Sequence, residues 1–182
     1  MQCSDQDPAK ADMYFQRGIK VAGLKTHEAY LIYSYYATYL MYYSAEDEEK
    51  AALKKRMIED YFKYSEMISK AGMTPQTQES ITTYLDYVVQ TCDELLPEIP
   101  GYITNLPEDK EVALQSIQRM MTLLETKGCS ESKEYMALNA AWLEIDPNCI
   151  PCLIIKTKSL SGNEAIKVLR DIMSKTDDSE LK

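Results

Sequence analysis

A single histidine, His27, in 182 residues restricts the chemistry open to this chain. It allows at most one imidazole acid, base or metal ligand, and it directly follows Thr26, where it reads as an exposed residue in the first turn of a helix. Glycine (6) and proline (7) are also scarce for the length, which argues against a sheet built from short strands and turns. No uncharged run reaches the roughly 20 residues that a membrane helix needs. The longest, "AYLIYSYYATYLMYYSA" at 29–45, carries seven tyrosines and reads as a buried or groove-lining helix. No phosphate loop, dinucleotide fingerprint, nucleophile elbow or HExxH pattern occurs. There is one CxxC, Cys149–Cys152, and no second one, so the four ligands of a structural zinc site do not assemble. Cys129 lies at the other end of a helix from Cys149, on the order of 22 Å away. Nothing is therefore nominated as a catalytic residue, metal ligand or cofactor site, and the expectation is a protein that is not an enzyme. Positive charge is in deficit: 20 basic against 29 acidic residues give a net charge of -9. Such a chain repels phosphate backbones and anionic membranes, so nucleic acid is not the expected partner.

What is abundant is tyrosine (14), methionine (10) and helical periodicity. Eight helices and no strand are expected. The first opens at Asp7-Pro8 and runs to about Ala22, and the second runs from Thr26 to about Tyr43. Ser44 is the expected cap of the third, followed by the acidic start "EDEEK" at 46–50, which reads as a solvated helix start. The apolar positions of the third helix, Leu53, Met57, Ile58, Tyr61, Tyr64 and Ile68, recur at helical spacing, and Gly72 ends it. The fourth, from Thr74-Pro75, carries the stripe Ile81, Tyr84, Leu85, Val88, Cys92, Leu95. "PEIPGYITNLP" at 97–107 reads as a proline-rich linker between halves, 1–96 and 108–176, with a polar tail at 177–182. The fifth helix starts near Pro107, buries Leu114, Ile117, Met121 and Leu124, and stops at Gly128. The sixth, about Glu131 to Ile145, buries Tyr135, Leu138, Trp142 and Ile145. The seventh is expected to start with Asn148 as cap and the eighth at Asn163.

"YMALNAAWLEIDPNC" resembles the second helix and exit turn of a tetratricopeptide repeat. "CIPCLIIKTKSLSGNEAIKVLRDIMSK" resembles a further repeat, with Gly162-Asn163 as its turn and Ala165 as the small residue where paired helices touch. The resemblance spans residues 107–175. It implies an all-α fold of antiparallel hairpins stacked as a right-handed superhelix, and a scaffold that binds protein or peptide partners. The chain departs from the family in lacking the first-helix Trp-Leu-Gly-Tyr pattern at 149–160 and in a repeat longer than the usual 34 residues. It also resembles repeat proteins exported by Bacteroidetes-type bacteria, which implies a periplasmic or cell-surface home rather than a cytoplasmic one. Cys3, near the start, is a candidate for the lipid-modified residue left by signal cleavage, and five cysteines leave at least one thiol unpaired within a chain. No oligomeric state follows from the sequence.

Two sets of residues carry the functional expectations. Seven tyrosines at 30–43 spread around their helix at 100° per residue, so they cannot all face one core. Tyr35, Tyr39 and Tyr42 share one side, with Tyr36 beside them, and are the candidates for a tyrosine-lined groove that takes a peptide. The same rings could stack on a glycan, which is a further alternative. The second set is Cys149 and Cys152. At the start of a helix the dipole favours a thiolate, and both sulfurs share a face, so a thiol redox protein is the alternative reading. The flanking sequence is not strand–turn–helix, and "DPN" explains the stretch first as a seam between helices.

Overall fold

The structure, a computed structural model, describes residues 7–22, 37–71 and 75–175. Among these residues the regular structure is all helical: nine α-helical segments and two short 3-10 turns, with no strand. None of the described helices is long and apolar enough to cross a membrane. The chain divides into two compact units, Met1–Glu108 and Asp109–Lys182.

The first unit starts with α1 (Pro8–Ala22), whose proline occupies the first helical position and whose Asp7 carboxylate accepts from the Lys10 amide at 3.2 Å. Residues 37–44 form α2. Ser44, expected to cap the next helix, instead closes this one: its hydroxyl donates to the carbonyls of Leu40 (2.9 Å) and Met41 (3.2 Å). The Met41 carbonyl also accepts the Ala45 amide at 2.8 Å, so the hydroxyl reinforces the last turn of α2 and does not serve the start of α3. α3 (Asp47–Ala71) opens on Asp47, Glu48 and Glu49, placed where the helix dipole favours negative charge. Lys50 at 2.7 Å holds the Asp47 carboxyl below its ordinary range. An Arg56–Asp12 fork, with contacts of 2.5 and 3.3 Å, ties α3 to α1.

α4 (Pro75–Val88) stops earlier than its apolar stripe suggests. Cys92 and Leu95 were expected on it, but they sit in or beside two 3-10 turns, Cys92–Glu94 and Leu96–Glu98. The cause is Glu94. Its carboxylate accepts from the amides of Gln90 (2.8 Å) and Thr91 (3.2 Å) and pairs with the Lys54 ammonium at 2.7 Å. Thr91 is extended, and the chain turns there. Residues 97–107, expected as a linker, contain α5 (Ile99–Thr104), and Ile99 is fully buried. Met57, Leu85, Val89, Leu95 and Ile99 form the centre of this unit.

Partial burial works against ionisation of Glu94, but Lys54 and the two amides outweigh it, so its carboxyl titrates below the ordinary range. A carboxyl depressed in the folded state contributes stability above the unfolded range and loses it as pH falls through the folded value. Glu94→Gln is therefore expected to cost about 1 kcal/mol at neutral pH, discounted for the solvent that reaches the pair. The difference from wild type should shrink as pH falls below the ordinary carboxyl range and through the lower folded-state value, read as converging urea midpoints.

The second unit is four helices in sequence: α6 (Lys110–Thr126), α7 (Lys133–Ile145), α8 (Ile150–Thr157) and α9 (Gly162–Lys175). Each packs on the next along the chain. Asp109 caps α6 by accepting from Glu111 (2.9 Å) and Val112 (3.1 Å). Gly128, at φ 81°, ends it, and the Cys129 amide reaches back to the Leu124 carbonyl at 2.7 Å. That left-handed closing turn favours glycine. Ser132 caps α7 through the Tyr135 amide (3.1 Å), and the Tyr135 hydroxyl donates to the Glu125 carboxylate of α6. Ile117, Met120, Leu124 and Leu138 fill the centre. Leu114, Trp142 and Ile145, expected inside, are only partly covered.

The DPN seam behaves as expected at one end and differs at the other. Asp146 closes α7, its amide donating to Trp142 at 2.8 Å, and its carboxylate accepts from the Asn148 amide at 3.1 Å. Asn148 does not cap α8. Cys149 does, its sulfur accepting from the Cys152 amide at 3.4 Å. With Asn148 committed to the Asx turn, the next residue takes the cap position. Gly162, expected as a turn, is the first residue of α9, which Ser161 and Glu164 close through a 2.6 Å hydroxyl–carboxylate bond and a 3.1 Å amide bond.

Candidate functional site

Four tyrosines of the first unit, Tyr39, Tyr42, Tyr43 and Tyr87, come together where α2, α3 and α4 meet. Thr38, fully buried, anchors α2 by donating to Asp60 of α3 at 3.3 Å. From that anchor, helical spacing carries Tyr39, Tyr42 and Tyr43 along the same segment. Tyr39 packs on Tyr43 with ring centroids 4.5 Å apart, and Tyr42 meets Tyr43 edge-on at 5.4 Å. The Tyr43 hydroxyl then bonds that of Tyr87 on α4 at 2.7 Å. The bond to Tyr87, the loss of solvent and the neighbouring Tyr39 push the Tyr43 phenol well above its ordinary value, so it stays neutral throughout the physiological range.

These rings frame a cleft of about 220 Å³, lined by Tyr42, Tyr43, Met57, Tyr87, Val88 and Gln90. Met57 and Val88 are buried and make an apolar base; Gln90 supplies an amide. Tyr43 is 51% exposed and Tyr87 68%, so two large aromatic faces stand at the surface although their hydroxyls are engaged. Rings fixed in this way can offer flat apolar area with little loss of side-chain freedom.

Of the four tyrosines expected to line a groove, Tyr39 and Tyr42 belong to this cluster; Tyr42 lines the cleft and Tyr39 braces it from behind Tyr43. Tyr35 and Tyr36 lie outside the described residues. Sequence reasoning missed Tyr87. It sits about 200° around α4 from Leu85, on the polar side of the stripe. An exposed aromatic in that place was the available signal.

The first unit holds a second cleft, of about 210 Å³, between α3 and α5. Glu59, Glu66 and Glu98 line it beside Lys63, and Phe62 and Tyr102 meet edge-on at 5.9 Å. It draws on residues 59–66 and 98–105, a pairing hidden while 97–107 was read as a linker.

In the second unit Cys149 and Cys152 are joined by a disulfide, with their Cα atoms 5.3 Å apart. Cys92 of the first unit and Cys129 of the second are each in the disulfide-bonded state. Among the described residues no group of three or more His, Cys, Asp or Glu side chains is arranged to hold a metal ion. No protein-family model, no curated protein and no solved structure matches the chain.

Proposed function

We propose that this protein is a non-catalytic binding module of tetratricopeptide-like architecture, which takes an extended or helical segment of another protein against the tyrosine cleft of its first unit. The observation that carries the reading is the Tyr43–Tyr87 hydroxyl bond, which holds two exposed rings across a 220 Å³ cleft. Binding by shape and a few rigid aromatic anchors suits such a surface. The acidic balance of the chain, and the three carboxylates of the second cleft, favour a basic or neutral segment and speed its approach. The consecutive packing of α6 to α9 supports the repeat-like architecture. The disulfide-bonded state of Cys92, Cys129, Cys149 and Cys152 supports an exported, oxidising location.

The test is selection of a phage-displayed library of random-sequence peptides on the full chain. Enriched peptides should be neutral or basic. Their affinity should fall at least about tenfold on Tyr42→Ala and stay unchanged on Tyr14→Ala, an exposed ring on α1 outside the cleft. If nothing enriches, or the selected peptides bind both variants as they bind wild type, the reading is wrong.

A further inference from the structure

We propose that Cys149 and Cys152 form a reversible dithiol–disulfide couple, which exchanges two electrons with an incoming dithiol or glutathione-type thiol that attacks at Cys149. The inference stands on the second unit alone and does not depend on the tyrosine cleft.

Three observations carry it. The two sulfurs differ in access. Cys149 is partly exposed at the cap of α8, while Cys152, one turn in, is 3% exposed. A nucleophile from solvent therefore meets one sulfur first. Next, the loop this bond closes contains only two residues, Ile150 and Pro151. A ring that small removes little freedom from the unfolded chain, so the bond is placed poorly for a stabilising staple. Finally, α8 is tied to α7 by a contact other than the disulfide. The Asn139 side chain of α7 is 1% exposed, and its Nδ2 donates to the Cys152 carbonyl at 3.0 Å. Its Oδ1 is buried without a partner. Reduction puts an S–H donor on the very residue this carboxamide holds.

The chemistry balances as ordinary thiol exchange. A thiolate of the donor attacks Cys149 Sγ, forming a mixed disulfide, and the Cys152 sulfur leaves as a thiolate and takes up a proton. A second donor thiolate attacks the donor sulfur of that mixed disulfide. This releases Cys149 as a thiolate, which takes up the second proton, and leaves the donor oxidised to its disulfide. Two electrons and two protons pass to the pair. Cys149 is a good leaving group in the second step, because the Cys152 amide and the positive end of α8 face its sulfur. Oxidation runs the same steps backwards, with the disulfide form of the donor as oxidant.

The experiment equilibrates the full chain in buffers of varied reduced-to-oxidised glutathione ratio. Acid quenching, alkylation and mass spectrometry then read each cysteine, with far-UV circular dichroism in parallel. The expected result is that Cys149 and Cys152 become thiols while the helical signal is intact and Cys92 and Cys129 remain bonded. Glutathione should be found on Cys149, and Cys152→Ser should accumulate that adduct. Reduction of the pair only together with loss of helical signal, or glutathione on Cys152 in preference to Cys149, overturns the proposal. The wild-type reading decides the matter even where a variant folds poorly.

Discussion

Asn139→Asp is expected to destabilise the second unit by about 3 kcal/mol at neutral pH, the scale of an uncompensated charge placed in a protein interior. The two side chains have nearly the same shape, so packing hardly changes. What changes is the atom that faces Cys152: Nδ2, which donates to its carbonyl at 3.0 Å, becomes an oxygen that can only repel it. Asn139 is 1% exposed, so water cannot compensate. Burial raises the carboxyl's folded-state pKa above its unfolded value. Its charged-form penalty is then absent below the unfolded value and grows as pH rises through the folded one. The variant should therefore recover much of its stability in acid, where the protonated carboxyl can again donate to the Cys152 carbonyl. Asn139→Leu is expected to cost less than Asn139→Asp at pH 7, since it removes the unpartnered Oδ1 along with the donor. Urea midpoints at neutral and acid pH measure both. An Asn139→Asp variant as stable as wild type at neutral pH contradicts the packing of α7 against α8 described above.

Ile99→Ala is expected to cost about 3 kcal/mol, the usual loss for truncating a buried isoleucine. The residue lies in a segment with three prolines and a glycine, where a linker would tolerate the change freely. Ile99 is instead fully buried at the start of α5, alongside Leu95 from the preceding turn. Gly101→Ala, two residues on, is the internal comparison. Open space surrounds the position a Cβ would take, and the glycine is helical and exposed. That substitution should stabilise by roughly 0.5–1 kcal/mol through helix propensity. Opposite signs at positions 99 and 101 mark a packed helix; two neutral results mark a linker.

These cases show where local pattern was informative and where it ended. Met57, Ile58, Tyr61 and Ile68 on α3, and Ile117, Met121, Leu124, Tyr135 and Leu138 on α6 and α7, were legible as core because their spacing repeats at the helical period. All of them are buried. The end of α4 was not legible. It depends on Glu94 meeting Lys54, forty positions earlier, and the apolar stripe itself runs on past Val88. Proline and glycine at 97–107 suggested a break because both punctuate loops, yet proline is equally at home in the first turn of a short helix. Half of the cleft was visible in the sequence. A tyrosine-rich helix that cannot bury every ring marks α2 as a candidate surface, whereas its partners Met57, Tyr87 and Val88 come from α3 and α4 and are brought in only by folding. At the seam, the DPN turn was readable, but Cys149 acting as its own cap depends on Asn148 being occupied.

The central claim is that the cleft of Tyr42, Tyr43 and Tyr87 is where a peptide binds. Its most direct test is nuclear magnetic resonance of the chain carrying ring-labelled tyrosine, assigned by single Tyr→Phe substitutions and titrated with a selected peptide. The account predicts that the Tyr42, Tyr43 and Tyr87 ring signals move together and saturate at the peptide's binding constant. Tyr14 and Tyr135 should stay where they are. Saturating shifts confined to tyrosines away from Tyr42, Tyr43 and Tyr87 would contradict it.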